Sequence, residues 1–454
     1  GERVAIYLNR SVDLLVSIVA VFKAGCAYIP IAASNPRSRV IDRIKESQAA
    51  IVLTNSFLAG NLDDLQIPLL RLDTDWHRIK EQRKTNGDKT IPPEALAYIM
   101  FTSGSTGQPK GVQISQRALA NYINWAGKEY GITNQSTFPL FTTIDFDLTV
   151  TSIFVPLTCG ASIIVYKENE TGPDLAIFDV IEDNRADVIK LTPSHLSLLK
   201  EHDFSNSRIS TMIVGGEDFK QDLAESISKS FHDEVKIYNE YGPTEATVGC
   251  IVHRYDSLND LSNSVPVGKP IANMRAYILD ENLNPVPKGA VGKLYISGDG
   301  LSVGYWNDKE LTEQKFLTNP FLPATKIYDT GDLARLNKKF EIEYLGRKDQ
   351  QVKIGGIRIE LGEIESALSK NAGIKDCVVE LIINSHSNSN EAVESVTNCT
   401  RCGLPSNYPQ AEFDEKGICN YCLSFEDYRQ NAQKYFKTPA DLQKLLDESK
   451  EHRQ

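Results

Sequence analysis

The sequence has no surplus of basic residues. Its 454 residues carry 49 Lys and Arg against 60 Asp and Glu, a formal charge of −11. It therefore offers neither the basic footprint that a phosphate backbone needs nor a polybasic patch for anionic lipid. No nucleic acid and no membrane is expected as a partner. A long apolar run is missing too. The longest stretch, Leu14–Ala33, is broken by Lys23 and Gly25 and reads as a buried helix followed by a strand, so no membrane span is expected. No signal-peptide pattern is visible, and a cytoplasmic setting is expected. The chain opens in mid-domain at Gly1, so a native start is expected outside it. A phosphate loop of the GxxxxGK[ST] type is absent, as is any carrier-protein motif.

What is present begins with size: 454 residues with 41% hydrophobic and 24% charged side chains predict a soluble globular protein of two or three domains. Residues 1–90 alternate short apolar runs with amphipathic patterns: Arg3–Leu8, a helix over Val12–Lys23, Tyr28–Pro30, a helix over Arg37–Glu46, then Ile51–Thr54. Such alternation predicts βαβ units on a largely parallel sheet. Of the cysteines, Cys26, Cys159, Cys250 and Cys377 stand among apolar neighbours and read as small core residues. Cys399, Cys402, Cys419 and Cys422 form a CxxC–x16–CxxC array. Reduced thiols suit both groups.

The strongest chemical signal is Tyr98–Val112, YIMFTSGSTGQPKGV. A strand-like run over Tyr98–Phe101 enters a loop of Thr102, Ser103, Gly104, Ser105, Thr106 and Gly107, closed by Pro109, Lys110 and Gly111. Glycines let backbone N–H groups face an anion, hydroxyls add donors and Lys110 adds charge, so this reads as a phosphate cradle. A flexible linker is the alternative for such a Ser/Gly run; the apolar strand before it and Pro-Lys-Gly behind argue against that. A second signal is Val235–Val248, VKIYNEYGPTEATV. It predicts a strand ending at Tyr238, then an irregular loop offering an aromatic face, an amide and a hard carboxylate. Asp147 stands in a mostly apolar segment, either capping a helix or awaiting a cation. Lys190 lies inside a strand run, where a charge must find a partner.

TSGSTGQPKG resembles the signature loop of the adenylate-forming superfamily, which includes acyl-CoA synthetases and the adenylation domains of nonribosomal peptide synthetases. FKAGCAYIP (Phe22–Pro30), YGPTE, KLYISGDGLSVGY (Lys293–Tyr305), YDTGDL (Tyr328–Leu333) and GRKDQQVKIGGIRIELGEIE (Gly346–Glu365) follow the family's motifs in order. The resemblance implies an α/β fold. A large core of βαβ sheets plus a small β-barrel-like part would occupy 1–348, and a hinge with the start of a small C-terminal subdomain 349–384. A linker at 385–397 and a four-cysteine, zinc-ribbon-like module with a helical tail at 398–454 would complete the chain. Helix then strand is expected over Ile364–Ile383. About 50 family residues before Gly1 are expected to be missing, as is the family's late lysine, so the chain reads as a fragment or as an interrupted domain.

The family match implies ATP and Mg²⁺ as cofactors, with Lys110, Thr244 and Glu245 catalytic. Lys110 and the loop hydroxyls would hold phosphates, Thr244 would touch phosphate and Glu245 would hold magnesium. Tyr241 would stack on adenine, Asn239 would read its amino group, Asp332 would accept the ribose hydroxyls and Arg347 would contact ribose and phosphate. Asp349 would be the hinge. Asp147 would grip the α-ammonium of an amino acid. The pocket set Asp147, Leu148, Thr151, Lys190, Ile213, Gly215, Glu240, Val248 and Gly249 resembles that of asparagine-activating domains. Lys190 can donate to a side-chain carbonyl and Glu240 can accept from its amide; a structural ion pair between the two is the alternative. Aspartate would set a second carboxylate against Glu240, at roughly several kcal/mol. Glutamine is excluded by only about 1–3 kcal/mol. The acyl group would pass to the phosphopantetheine thiol of a carrier protein, in cis or in trans.

The clustered cysteines resemble the zinc-binding segment preceding the ATP-pyrophosphatase domain of N-acetyl sugar amidotransferases. That resemblance implies a structural Zn²⁺ on Cys399, Cys402, Cys419 and Cys422, with a possible downstream amidotransferase or pyrophosphatase domain. Two other functions stand beside amino-acid activation: a coenzyme A ligase for another carboxylic acid, disfavoured by Asp147, and a non-catalytic scaffold whose zinc module docks a partner.

Overall fold

A computed structural model describes residues 1–347 apart from 86–89, 105–108, 169–174, 201, 203 and 232–233. Beyond these it describes 351–354, 357–369, 374, 377–380, 399–401, 413–419 and 422–423. The chain divides into two compact units, Gly1–Leu381 and Ile382–Gln454. No helix among the described residues is long and apolar enough to cross a membrane.

The first sheet of the larger unit grows from the alternation at the start of the chain. The strands Arg3–Tyr7, Ala27–Ile31, Ile51–Thr54 and Leu69–Arg71 run parallel. The helix Val12–Lys23 between the first two is capped by the Ser11 side chain, which accepts from the Leu14 N–H at 3.1 Å. It buries Leu14, Ser17, Ile18 and Val21, one stripe at helical spacing. Leu96–Thr102 joins this sheet beside Ala27–Ile31 and turns back as Lys110–Ser115. Here the expectation of one loop over 102–111 is corrected: Lys110 and Gly111 belong to a strand, with Lys110 opposite Thr102 in an antiparallel ladder. Gly304–Tyr305 closes the edge against Val112 and Gln113.

The second sheet carries Val188–Leu191, Thr211–Gly215 and Lys236–Tyr241 in parallel, followed by antiparallel Ile251–Arg254 and Lys269–Pro270. The strand expected to stop at Tyr238 runs on to Tyr241. Glu240 pairs with Gly215 on one side and Val252 on the other, and two ladders outweigh the weak strand preference of Asn and Glu. The third sheet is antiparallel: Met274–Leu279, Gly292–Gly298, Lys326–Leu336 and Phe316–Thr318, with Ile342–Arg347 also on Lys326–Leu336. Expected as barrel-like, it is open among the described residues, because its outer strands Met274–Leu279 and Phe316–Thr318 do not pair. A further βαβ unit sets Thr137–Leu140 parallel to Ser162–Val165 through the helix Leu148–Cys159.

After Arg347, Gln351–Ile354 and Ile357–Glu360 form a hairpin that leads into the helix Leu361–Ser369. No strand follows in the described residues 377–380. In the smaller unit, Phe413 and Cys419 bridge, and the Asp414 carboxylate accepts from the N–H groups of Lys416 and Ile418 at 3.0 and 2.8 Å.

Candidate active site

Where parallel strands end, their last residues pass into loops, and a crevice forms outside the carboxyl ends. Here a cavity of about 510 Å³ lies at the ends of the first two sheets, within the usual range for small-molecule sites. Thr102 and Ser103 line it from the first sheet, Lys190, Gly215 and Glu240 from the second, and Asp332 and Arg347 from the third. Asp147, Leu148, Thr244 and Val248 complete the wall on the side of the helix Leu148–Cys159.

Asp147 occupies the N-cap position of that helix, yet its side chain makes no capping bond. Instead it accepts the Thr244 hydroxyl at 2.6 Å. It is 9% exposed. A buried carboxylate at a cavity wall favours a cation beside it, since desolvation disfavours the charged form.

Lys190 and Glu240 form an ion pair at the other side of the same wall. They are 2% and 3% exposed. Lys190, Ile213 and Tyr238 are register partners across three strands, and Glu240 lies two residues beyond Tyr238 on the same face. Gly215 lies between them: a Cβ there would stand 3.6 Å from Lys190 Nζ. Gly249 makes room for the acid itself, because a Cβ would fall 2.3 Å from the Glu240 carboxyl carbon. Ile213, Thr151 and Gly249 lie behind the wall rather than on it. Just before Gly249, Thr247 and Val248 take positive φ, 57° and 67°, a costly choice for β-branched residues. The Thr247 hydroxyl anchors this turn on the Gly300 carbonyl at 2.7 Å.

Two residues that sequence reasoning missed complete this cluster. Tyr130 donates its hydroxyl to Glu240 Oε2, and the Tyr122 hydroxyl lies 3.2 and 3.3 Å from the two Glu240 oxygens. Burial first, and then the Glu240 charge, holds both phenols well above the ordinary tyrosine range. On the helix Gln116–Glu129 and its C-terminal cap they sit in the apolar stripe, with nothing in their spacing to mark them as polar partners.

At the third-sheet end, Asp332 and Arg347 are direct cross-strand partners, joined by Arg347 Nη1 to Asp332 Oδ1 at 2.7 Å. Tyr241 donates its hydroxyl to the other Asp332 oxygen; burial and then Asp332 raise that phenol's pKa well above the usual value. Asn239 faces elsewhere. Its amide nitrogen donates to the Val265 and Pro266 carbonyls at 2.9 and 3.0 Å, and neither it nor Tyr241 is on the cavity wall.

Lys110 and Glu245 are together, also behind the wall. Lys110 Nζ stands 3.7 Å from Glu245 Oε1 and 5.3 Å from the Tyr305 ring centre. Glu245 is fully buried and accepts the Tyr305 hydroxyl at 2.7 Å. In the loop, Thr102 Oγ1 is buried without a hydrogen-bond partner, Ser103 and Gly104 are buried, and Ser105, Thr106 and Gly107 lie outside the described residues. Arg39 and Arg43, also missed, line the cavity. Arg43 lies over the Phe101 ring at 4.6 Å, its pKa brought down to about 10 by burial and then by Arg39.

In the smaller unit the thiols of Cys399, Cys419 and Cys422 lie within 4.8 Å of one another. Cys399 and Cys422 are 4.0 Å apart, close to the roughly 3.8 Å edge of a tetrahedron with Zn–S bonds of about 2.3 Å. The Cys419 N–H points at the Cys399 sulfur at 3.2 Å. Cys402 and Asp349 lie outside the described residues.

Comparison with known proteins agrees with this geometry. Residues 1–306 match the AMP-binding enzyme family. The chain is 49% identical over 376 residues to bacitracin synthase 3 of Bacillus licheniformis, a match covering 83% of this chain and 6% of that protein. It is 45% identical over 381 residues to tyrocidine synthase 3 of Brevibacillus parabrevis, covering 84% and 6%. The chain thus spans a small part of these relatives. Among solved structures, a fused adenylation–carrier di-domain from Klebsiella oxytoca superposes with a TM-score of 0.73 at 25% identity, covering 83% of this chain and 74% of that one. A four-domain nonribosomal peptide synthetase bound to AMP and glycine gives 0.66 at 32%, covering 83% and 28%. A strand-delivered hydroxyl loop, a Tyr-Gly-Pro-Thr-Glu turn and an Asp–Arg pair around one cavity, in a chain so matched, identify a member of the AMP-binding, adenylate-forming ligase family, related to nonribosomal peptide synthetase adenylation domains.

Proposed function

We propose that this chain activates an α-amino acid, L-asparagine, with ATP, giving aminoacyl-AMP and pyrophosphate for transfer to a carrier-protein thiol. The observation that carries this reading is Asp147: a buried carboxylate on the cavity wall, held by Thr244, whose charge suits a substrate ammonium. An activator of simple acids has no use for it. The Lys190–Glu240 pair stands on the same wall to meet an uncharged polar side chain.

The remaining roles are those the family match implies. Thr102, Ser103 and the rest of the loop, with Lys110, hold the phosphates; Asp332 and Arg347 hold the ribose; Tyr241, tied to Asp332, flanks the adenine. Lys110 and Glu245 neutralise each other, and the incoming phosphates draw Lys110 away from the acid. Glu245 would then hold Mg²⁺, which when bound offsets charge on the phosphates. Asn239 supports its strand through Val265 and Pro266, and any contact it makes with adenine is through its carbonyl oxygen. The hinge at Asp349, the linker at 385–397 and residence in the cytoplasm belong to the same reading.

Cys399, Cys419 and Cys422, with Cys402, would hold a Zn²⁺ whose role is to fold the smaller unit, since four thiolates leave no open position. A downstream amidotransferase or pyrophosphatase domain fits that resemblance.

ATP–pyrophosphate exchange across an amino-acid panel tests the reading. L-Asparagine should give the highest rate, and Asp147→Ala should lower kcat/KM by at least about 100-fold. Equal response to asparagine and aspartate would sink the side-chain assignment, and a response only to acids lacking an amino group would favour the coenzyme A ligase alternative.

A further inference from the structure

Glu240 receives more donors than the proposed pocket needs. The Tyr122 hydroxyl lies within 3.3 Å of both its oxygens and 2.6 Å from the Thr151 hydroxyl. Tyr130 donates to Oε2, and Lys190 to Oε1. An ionised carboxylate has about four acceptor sites. Tyr130 and Lys190 each meet one, and the single Tyr122 proton, contested by Thr151, stands within reach of either oxygen, so Glu240 is largely satisfied from inside the protein. Lys190 differs. It carries three N–H donors, is 2% exposed, lines the cavity and directs a donor to Glu240. The wall therefore presents an incoming side chain with lysine donors rather than with a bare carboxylate.

We propose that Tyr122 and Tyr130 are positioning residues for side-chain selection. By donating to Glu240 from behind they hold its carboxylate beside Lys190 and set how much of its charge reaches the pocket, while Lys190 grips the side-chain oxygen of an uncharged amino acid. The proposal rests on the amino-acid reading above and deepens it. A substrate carboxylate would add net negative charge to a buried, balanced cluster, whereas an amide adds none. Each phenol also screens the Glu240 charge and so limits how strongly it repels a substrate carboxylate; discrimination against an acidic side chain should therefore sharpen as that screening is removed.

The test is Tyr130→Phe, which keeps the ring between Trp125 and Tyr238, its centre 5.4 and 4.9 Å from theirs, and deletes only the donor. Glu240 then loses one of the donors that screen its charge and repels an acidic side chain more strongly. In pyrophosphate exchange, the kcat/KM ratio of asparagine to aspartate should rise about tenfold, the scale of one charge-assisted hydrogen bond. Tyr122→Phe should raise it less, because that hydroxyl is shared with Thr151, and the double variant should exceed either. Thermal melting and ATP affinity, read alongside, separate this from misfolding, which would lower both rates together. A ratio that falls, or that stays within about twofold of the parent in all three variants, overturns the proposal.

If the parent prefers glutamine, the asparagine reading fails alone, and the ratio of glutamine to glutamate carries the tyrosine test. If it activates only side chains without oxygen, both readings fall.

Discussion

The cavity is braced at two ends by the same kinds of group, an acid and a cation with one phenol at one end and two at the other, assembled in different ways. At one end Asp332, Arg347 and Tyr241 meet because two antiparallel strands set the acid and the cation opposite each other. At the other, Glu240, Lys190, Tyr122 and Tyr130 converge from two strands and from a helix and its cap more than 100 positions away in sequence. At the first, register sets acid opposite cation and Tyr241 reaches them from another sheet. At the second, register brings Lys190 and Glu240 to one face, two tyrosines arrive from a helix and its cap, and the ion pair is the more deeply buried. Losing one member should therefore matter more at the second.

The largest expected effect is on stability. Lys190→Met should cost about 3–5 kcal/mol, because Glu240 is left charged and buried, and Lys190→Met with Glu240→Gln should recover most of it. The corresponding cycle at Asp332 and Arg347 should show a smaller coupling, about 1–3 kcal/mol. Its side chains are 5% and 9% exposed, against 3% and 1% for Lys190 and Glu240. Denaturant melts of the four chains in each cycle measure this, and a larger coupling at Asp332 would reverse the comparison.

Next in size, Gly249→Ala should push Glu240 off its site at about 1–3 kcal/mol, since the new Cβ would lie 2.3 Å from the carboxyl carbon. KM for the amino acid should move more than KM for ATP; an equal shift in both would mean the two ends are not independent.

The smallest effect is in alkali. Tyr122, Tyr130 and Tyr241 have folded pKa values raised well above the exposed value by burial first and by their acids second. Unfolded phenols ionise near pH 10, so the stability these groups contribute is fully present below that pH. It is lost as pH rises toward the folded values, by up to about 1.4 kcal/mol per pH unit for each phenol. Tyr130→Phe should flatten the slope by one phenol's share, as should Tyr241→Phe. Unchanged slopes in urea melts between pH 9.5 and 11, a window spanning about one unit around the unfolded value, would show that the phenols ionise in place.

The first sheet was legible because apolar runs and helical stripes alternate cleanly: the helix Val12–Lys23 and the strand Ile51–Thr54 stand as expected. The strand Lys110–Ser115 was not, because a lysine and a glycine at its head look like loop chemistry until the pairing with Thr102 and Phe101 is seen. Asn239–Tyr241 misled for a related reason, since polar residues continue a strand only when ladders on both sides demand it. Motif matching led to Asp332, Arg347, Lys190 and Glu240, but it passed over Tyr122 and Tyr130. A tyrosine in an apolar stripe carries no mark of where its hydroxyl goes; only the tertiary contact with Glu240 reveals it.

The hairpin that carries Lys110 has a kinetic consequence. Its backbone is pinned opposite Thr102, and two residues on, Val112 and Gln113 are pinned again by Tyr305 and Gly304. The ammonium can thus be re-aimed only by rotation about its own four-carbon stem. Such rotations take picoseconds to nanoseconds at exposed sites and are slowed by burial, yet they escape the microseconds that collective backbone motion demands. Under the proposed reading, moving this charge from Glu245 to a phosphate needs a side-chain rotation and no shift of the paired strands.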